Sequence, residues 1–292
     1  MFELIQVAEN TFYIDCPAKI GVYRMPENRV ALIDSGNDKD AGRKILKILD
    51  ANDWTLGFIV NTHSNADHIG GNKFLAGRTG CKVYANGAER AFCDFPILEP
   101  SFLFGGYPSK YLRHKFLLAE QWGTEDIAEA PLPPGMEVFP LGGHFFDMVG
   151  VKTPDDVYFM ADCVSSEALI EKYHVPFIYD VAAYLSTLDF IETLEGELFI
   201  PSHTEAAKSM KPLAELNRKT TLETIELIKG ICSAPCAFEE LLKKLFDKYG
   251  LVLDISQYAL AGSTIRSYLS YMVDNGILDI EARDNYLLWK SV

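Results

Sequence analysis

The segment Asn61-Thr-His-Ser-Asn-Ala-Asp-His-Ile-Gly-Gly-Asn72 places three potential metal ligands within one short loop. It directly follows an apolar strand predicted over Phe58–Asn61 and precedes a predicted helix. His63, Asp67 and His68 therefore lie at a strand end, where loop side chains can converge while the sheet holds them rigid. A hydrolytic metal needs nitrogen and carboxylate ligands and an open position for water. The segment predicts a metal site.

Three further candidate ligands follow along the chain, each after an apolar strand. They are His144 in Leu-Gly-Gly-His, Asp162 in Phe-Met-Ala-Asp and His203 in Pro-Ser-His. Any one histidine alone is more often a structural residue than a ligand, but four of the six histidines fall in these contexts. The other two, His114 and His174, are assigned surface or pocket positions. The combination indicates one cluster of histidines and carboxylates.

With these residues the chain resembles the metallo-β-lactamase superfamily, whose signature is His-x-His-x-Asp-His followed downstream by a His, an Asp and a last His. The resemblance covers roughly residues 1–230 and includes Ile33-Asp34-Ser35-Gly36, which is similar to the family's early Asp-x-Gly turn. It implies an α/β (α+β) fold, the four-layer αββα sandwich. It also implies that Asp34 supports the metal loop from behind the ligands.

Asn65 stands where the family usually has its second histidine. A neutral amide oxygen is a poor zinc ligand beside imidazole. The resemblance then implies one metal position with His63 and His144 and with Asn65 as a weak or absent third ligand. The other position would have the ligands Asp67, His68 and His203, and Asp162 would bridge the two. We expect the second position to bind more tightly, with one or two divalent metals per chain. Zinc is the expected metal, and iron and manganese remain alternatives.

The implied chemistry is metal-assisted hydrolysis, in which a water of lowered pKa attacks a polarised carbonyl or phosphoryl group. Asp67 or Asp162 would orient that water and accept its proton. Because the formal net charge is −14, polyphosphate is repelled, and a small-molecule ester or thioester is the expected substrate. The bond attacked is not specified by these residues.

Two other functions remain open at this point. His63, His144 and Asp162 would also make the two-His, one-carboxylate triad of a mononuclear iron dioxygenase, although this leaves Asp67, His68 and His203 unexplained. A catalytically degenerate protein that binds a metal or another ligand is the third hypothesis, and Asn65 is its only support. Metal identity and turnover distinguish the three.

The order of predicted elements favours two domains. Strands are predicted at Gln6–Ile14, Ile20–Arg24 and Arg29–Ile33, and a helix at Asp40–Ala51 precedes the strand before the metal loop. Residues 96–123 form an aromatic, proline-broken stretch that we interpret as a helical insertion, with a pocket lid as the alternative. We predict a catalytic domain over residues 1–230 and a small one over residues 231–292.

The small C-terminal part is predicted as helix, short helix, helix and hairpin, which resembles a winged helix. The separate helices are predicted at Ile255–Ala259 and Ser263–Asn275. Arg266 is the only cation of the candidate recognition helix, whereas phosphate contact requires several. Nucleic-acid binding is therefore not expected. Some hydrolases of the superfamily that the chain resembles carry a similar small tail, and the resemblance implies that this part covers one edge of the site or supports a homodimer.

The composition sets the remaining expectations. No basic region followed by an apolar core marks the N-terminus, and no run of 18 apolar residues is present. The six scattered cysteines lack the density of a disulfide scaffold and are expected to be free thiols. A soluble cytoplasmic protein without membrane association is the resulting prediction.

Overall fold

The first large sheet carries the metal loop at the carboxyl end of one of its inner strands. The computed structural model describes residues 2–292, and in it the first sheet has seven strands in chain order. The first four strands are antiparallel and the later ones parallel. The strands are β1 (Glu3–Gln6), β2 (Thr11–Asp15), β3 (Ile20–Arg24), β4 (Arg29–Ile33), β5 (Thr55–Val60), β6 (Lys82–Ala85) and β7 (Glu125–Asp126).

Strand β4 shows how this sheet is buried on both faces. Val30 and Leu32 point to one face, and Ala31 and Ile33 to the other, as the two-residue period of a strand requires. Helices cover the first of these faces, and Asp38 begins the first helix by accepting from the amides of residues 40 and 41. The helices of this half are α1 (Lys39–Ala51), α2 (Ala66–Ile69), α3 (Asn72–Thr79), α4 (Gly87–Asp94) and α5 (Leu98–Phe104).

The second large sheet packs on the other face of the first. Val157 and Phe159 share one apolar core with Ala31 and Ile33, and Tyr158 packs on the opposite side. The sheet order is β11-β10-β9-β8, and β10 pairs with β11 in parallel. Its elements are β8 (Glu137–Pro140), β9 (Val149–Lys152), β10 (Val157–Ala161), α6 (Glu167–Tyr173), α7 (Val181–Ile191), β11 (Leu198–Pro201) and α8 (Lys211–Ile231). Helix, sheet, sheet and helix layers confirm the predicted αββα sandwich.

The C-terminal part adds two helices and a three-stranded sheet of order β12-β14-β13. Leu241 and Tyr268 of these helices lie in the same apolar cluster as Leu188 and Ile225 of the preceding helices. The buried core is therefore continuous across residue 231, and the predicted division there, like the winged-helix assignment, stays a prediction. The elements are β12 (Cys236–Ala237), α9 (Phe238–Tyr249), α10 (Ile255–Asp274), β13 (Leu278–Arg283) and β14 (Tyr286–Ser291).

Two element predictions are wrong. The strand expected over Gln6–Ile14 is the hairpin β1–β2, because the amides of Val7 and Ala8 both donate to the Thr11 carbonyl and reverse the chain. The two helices expected from Ile255 to Asn275 are the single helix α10. Gly262, which lies between the two expected helices, is buried near the Phe238 ring, where a glycine permits close packing at a helix cost of about 1 kcal/mol.

The aromatic stretch 96–123 packs on the C-terminal helix. Leu103, Leu112 and Leu117 form a small apolar cluster with Ala259 of α10. The insertion therefore joins the metal-loop side of the sandwich to α10. Over residues 2–292 no helix is long and apolar enough to cross a membrane.

Candidate metal centre

Asp34 anchors the metal loop from the end of β4. It has a left-handed backbone (φ 67°), and its carboxylate accepts from the Thr62 amide at 2.8 Å and the Thr62 hydroxyl at 2.7 Å. It also contacts His68 Nδ1 at 2.8 Å. One buried carboxylate thus holds both ends of the loop that follows β5. The family resemblance implied this position for Asp34, and its supporting role stays a prediction.

The rings of all four predicted histidines are oriented in the same way relative to the cluster. Each has its Nδ1 within 3.2 Å of an outer oxygen, and each Nε2 faces the common centre. A fixed Nδ1 partner sets the ring orientation and leaves Nε2 as the free ligand atom. The outer partners are Thr62 Oγ1 for His63, Asp34 Oδ2 for His68, the Phe177 carbonyl for His144 and the Pro17 carbonyl for His203.

The Gly142-Gly143 pair explains how His144 reaches this centre. Gly143 has φ +111°, and a Cβ there would lie 2.3 Å from the backbone of Tyr184 in α7. The Gly143 carbonyl accepts from the amides of Tyr179 and Asp180, where α7 begins. The glycine therefore allows the chain to turn against the helix and present the next side chain to the cluster.

Asp162 lies at the middle of the cluster. Its Oδ2 is 3.2 Å from His203 Nε2 and 3.7 Å from His144 Nε2. Its Oδ1 is 3.4 Å from His68 Nε2. Asp67 lies on the more open side, with Oδ2 at 3.3 Å from His203 Nε2. Six of the predicted residues thus converge on one centre.

The cluster divides into two groups of three. In each group the ligand atoms lie within 4.8 Å of one another. We call the first half A, formed by His63, His144 and Asp162, and the second half B, formed by Asp67, His68 and His203. This is the partition that the resemblance implied, with Asp162 between the halves, whereas the ligand roles themselves stay predictions.

The residues fit a metal because their inward atoms are buried and unpaired. His63 Nε2, His68 Nε2 and Asp162 Oδ1 have no hydrogen-bond partner among residues 2–292, although all three atoms are inaccessible to solvent. Buried polar atoms normally have partners, and a metal ion is one partner that satisfies such atoms. Imidazole nitrogen and carboxylate oxygen are the donor set of zinc and of other divalent transition metals.

The two histidines of half A are held neutral. Burial lowers the pKa of His63 well below its usual range, and the neighbouring His68 adds to the lowering. Burial also lowers the pKa of His144, although Asp162 opposes it. Neutral imidazole is the form that binds a metal.

The two histidines of half B are held charged. Burial alone would lower the pKa of His68, but three carboxylates outweigh it and raise that pKa well above its usual range: Asp162, Asp67 and Asp34. Burial also opposes protonation of His203, yet Asp162 and Asp67 raise its pKa to about 10. Without a metal, protons occupy this half.

Asn65 lies at the edge of half A. Its Oδ1 is 3.2 Å from His144 Nε2, and its Nδ2 donates to Glu99 Oε1 at 2.9 Å. His144 Nδ1 lies against the Phe177 carbonyl, which only accepts, so Nδ1 carries the proton of the neutral ring and Nε2 a lone pair. Two lone-pair atoms therefore face each other, which is the arrangement that a cation between them would satisfy.

Two buried glutamates support this region and were missed by the sequence analysis. Glu99 lies in α5 and orients Asn65, and burial raises the pKa of its carboxyl well above the usual range. Glu89 in α4 accepts from the Ser64 amide at 2.9 Å and the Asp147 amide at 2.8 Å, and burial raises its pKa to about 7. For Glu99 the available signal was an acidic residue within an apolar run, whereas Glu89, next to Arg90, offered no such signal.

Short sequence matches relate this chain to two curated proteins. A hydroxyacylglutathione hydrolase from Methylococcus capsulatus is 46% identical over 46 residues, which are 16% of this chain and 18% of that protein. One from Erythrobacter litoralis is 45% identical over 56 residues, 18% of this chain and 22% of that protein. The aligned part thus spans about a fifth of the length of these curated relatives.

Solved structures match nearly the whole chain. A β-lactamase domain protein from Burkholderia ambifaria has a TM-score of 0.79 at 17% identity and covers 99% of this chain and 94% of its own. A metallo-β-lactamase family protein from Thermus thermophilus has a TM-score of 0.72 at 17% identity, covering 100% and 98%. At this identity the likeness concerns the fold.

The family model is the broadest sequence match. The model described as the metallo-β-lactamase superfamily matches residues 13–203, more than half of the 292-residue chain. The matched region begins in β2 and ends at the last histidine of the cluster. On this match the chain belongs to the metallo-β-lactamase superfamily.

Proposed function

We propose that this protein is a metal-dependent hydrolase that cleaves a small-molecule ester or thioester. The convergence of four Nε2 atoms and two carboxylates, with buried atoms left unpaired, carries the proposal. The family match and the short alignments with hydroxyacylglutathione hydrolases support it. Zinc is the proposed metal because imidazole and carboxylate ligands suit it.

The residues divide the chemical work according to their surroundings. A divalent metal bound here supplies Lewis acidity and a water of lowered pKa. Asp67 has 35% of its side chain exposed and lies on the open side, so it is the carboxylate best able to orient a water and receive its proton. Asp162, only 11% exposed and surrounded by imidazoles, is proposed as the bridging ligand.

Asn65 is proposed as the third ligand of half A through Oδ1. The contact of its Nδ2 with Glu99 keeps the amide oxygen directed toward His144. An amide oxygen is a weaker zinc ligand than imidazole, so half A is proposed to bind its metal more weakly than half B.

The test is turnover by the full chain after zinc loading. Wild type is compared with a His68→Ala variant and with His114→Ala, a matched control outside the cluster. We expect ester or thioester hydrolysis by wild type and by the control, and loss of it with His68→Ala. No hydrolysis of esters or thioesters by zinc-loaded wild type would reject the proposal and favour the degenerate protein.

A mononuclear iron dioxygenase is the second candidate. Half A supplies the two-His, one-carboxylate set that such enzymes use. Half B, however, forms a complete second group that this function would not need. Iron in the purified protein, retained in a His203→Ala variant and accompanied by oxygen consumption, would favour this candidate over the hydrolase.

A further inference from the structure

A cavity of about 290 Å³ opens directly beside the metal cluster. Its inner end is formed by His144, Asp162 and His203. The volume of about 290 Å³ lies just below the roughly 300–1,000 Å³ that small-molecule pockets occupy. The remaining walls are mostly apolar and include Val164, Leu169, Val175, Phe177, Leu260 and Ala261.

The wall opposite the sandwich comes from the C-terminal part. Leu260 and Ala261 belong to α10, while Leu169 belongs to α6, a helix with no buried residue. Two separate elements therefore enclose the cavity, and α10 is held in place by the Leu103–Ala259 cluster. The C-terminal helix thus shapes the space next to the reacting centre.

The charge of the lining restricts what can bind. Among the described residues that line the cavity there is no lysine or arginine, and Asp162 is the only acid. The Thr264 hydroxyl is already used, since it donates to the Leu260 carbonyl and accepts from the Ile178 amide. Away from the inner end, where His203 and a bound metal would supply positive charge, an anionic group would be buried without a cationic partner, which is costly. Ser165, Tyr173 and Gln257 also line the cavity, so the outer walls favour a neutral and mainly apolar occupant.

We propose that this cavity receives the aliphatic acyl chain of the substrate, which makes the substrate an aliphatic acyl ester or thioester. The inference rests on the proposed hydrolase function and on the continuity of the cavity with the cluster. In the reaction, the oxygen of one water bonds to the carbonyl carbon and the C–O or C–S bond breaks. The departing alcohol or thiol takes one proton of the water, and the acyl group leaves as the acid.

A series of acyl esters tests the chain preference. Zinc-loaded full chain is assayed with p-nitrophenyl acetate, butanoate and hexanoate. Burial of each added methylene is expected to raise kcat/KM about fourfold until the cavity is filled. Failure to cleave any ester, or the matching thioesters, would reject the hydrolase function itself. Cleavage of acetate at least as fast as hexanoate would reject the acyl cavity alone.

Variants locate the preference in the cavity. Ala261→Phe fills the cavity from α10, and Leu169→Ala removes part of its apolar wall on α6. Both variants are expected to lower the ratio of kcat/KM for hexanoate to that for acetate. For Ala261→Phe we expect a decrease of about tenfold. Ser270→Phe is the matched control, because Ser270 is exposed on the same helix and does not line this cavity. An unchanged ratio in both cavity variants would overturn the assignment.

Direct binding gives a readout that does not depend on turnover. Hexanoate and acetate are titrated into the zinc-loaded protein by calorimetry. Hexanoate is expected to bind more tightly, and Ala261→Phe to remove most of the difference. Equal affinities in the wild type would contradict the proposal.

Discussion

The two halves of the metal cluster use the same residue type in opposite states. In half A, burial lowers the pKa values of His63 and His144, and the nearby Asp162 only partly opposes it. In half B, His68 and His203 lie among carboxylates, and their pKa values are raised. The surrounding charges, rather than the ligand type, therefore distinguish the halves. Half B attracts a cation more strongly but must first release protons.

Asp162 belongs to half A but also lies within 4 Å of both imidazoles of half B, so its loss should have the largest effect. An Asp162→Asn variant keeps the shape but removes the charge that lies within 4 Å of all four imidazole Nε2 atoms. We expect activity to fall by more than about 100-fold, beyond the 10–100-fold typical of residues behind the ligands. Steady-state hydrolysis and metal content measure this. Near-wild-type values for both would contradict the bridging role.

Asn65→His tests whether the amide limits half A. Imidazole is the better zinc ligand. We therefore expect the more weakly bound zinc ion to bind at least about tenfold more tightly to this variant than to the wild type. Equilibrium dialysis against zinc measures it. Asn65→Leu is the comparison, since it supplies no ligand and should weaken the same equivalent. Identical zinc affinity in both variants and in wild type would show that residue 65 is not a ligand.

Glu99 should influence half A through Asn65. Glu99→Leu removes the acceptor that orients the amide, and we expect metal affinity in half A to fall about tenfold. Glu89→Gln is the matched control, because Glu89 is also buried but bonds to Ser64 and the Asp147 amide rather than to a proposed ligand side chain. Equal loss of metal affinity in the two variants would indicate a general structural effect.

Proton release should distinguish the halves at neutral pH. Half B binds metal only after His68 and His203 lose their protons, so its affinity should rise with pH up to about 10, the pKa of His203. Half A, whose two histidines are already neutral, should release almost no protons when it binds metal. Calorimetry in buffers of different ionisation enthalpy counts the protons. We expect about two protons to be released when the first zinc ion binds and none when the second binds. Equal release for both zinc ions would contradict the assigned protonation states of the two halves.

Local sequence patterns predicted those parts of the site whose residues are close together in the sequence. The His63–His68 loop follows from an apolar strand and a tight set of ligand types, and the alternation in β4 follows from its period. Glu99 was not predictable, because its contact with Asn65 spans 34 residues and needs the insertion to fold back. The α10 wall of the cavity was also missed in detail, since it depends on packing of Ala259 against Leu103.

The central claim is that one cluster has two halves that bind metal with unequal affinity. Metal content per chain tests this claim most directly. Wild type, His203→Ala and His63→Ala are loaded with zinc, dialysed and analysed for metal. We predict that His63→Ala retains the tightly bound equivalent of half B, whereas His203→Ala loses it. Equal retention in both variants, or iron retained in His203→Ala, would contradict the account.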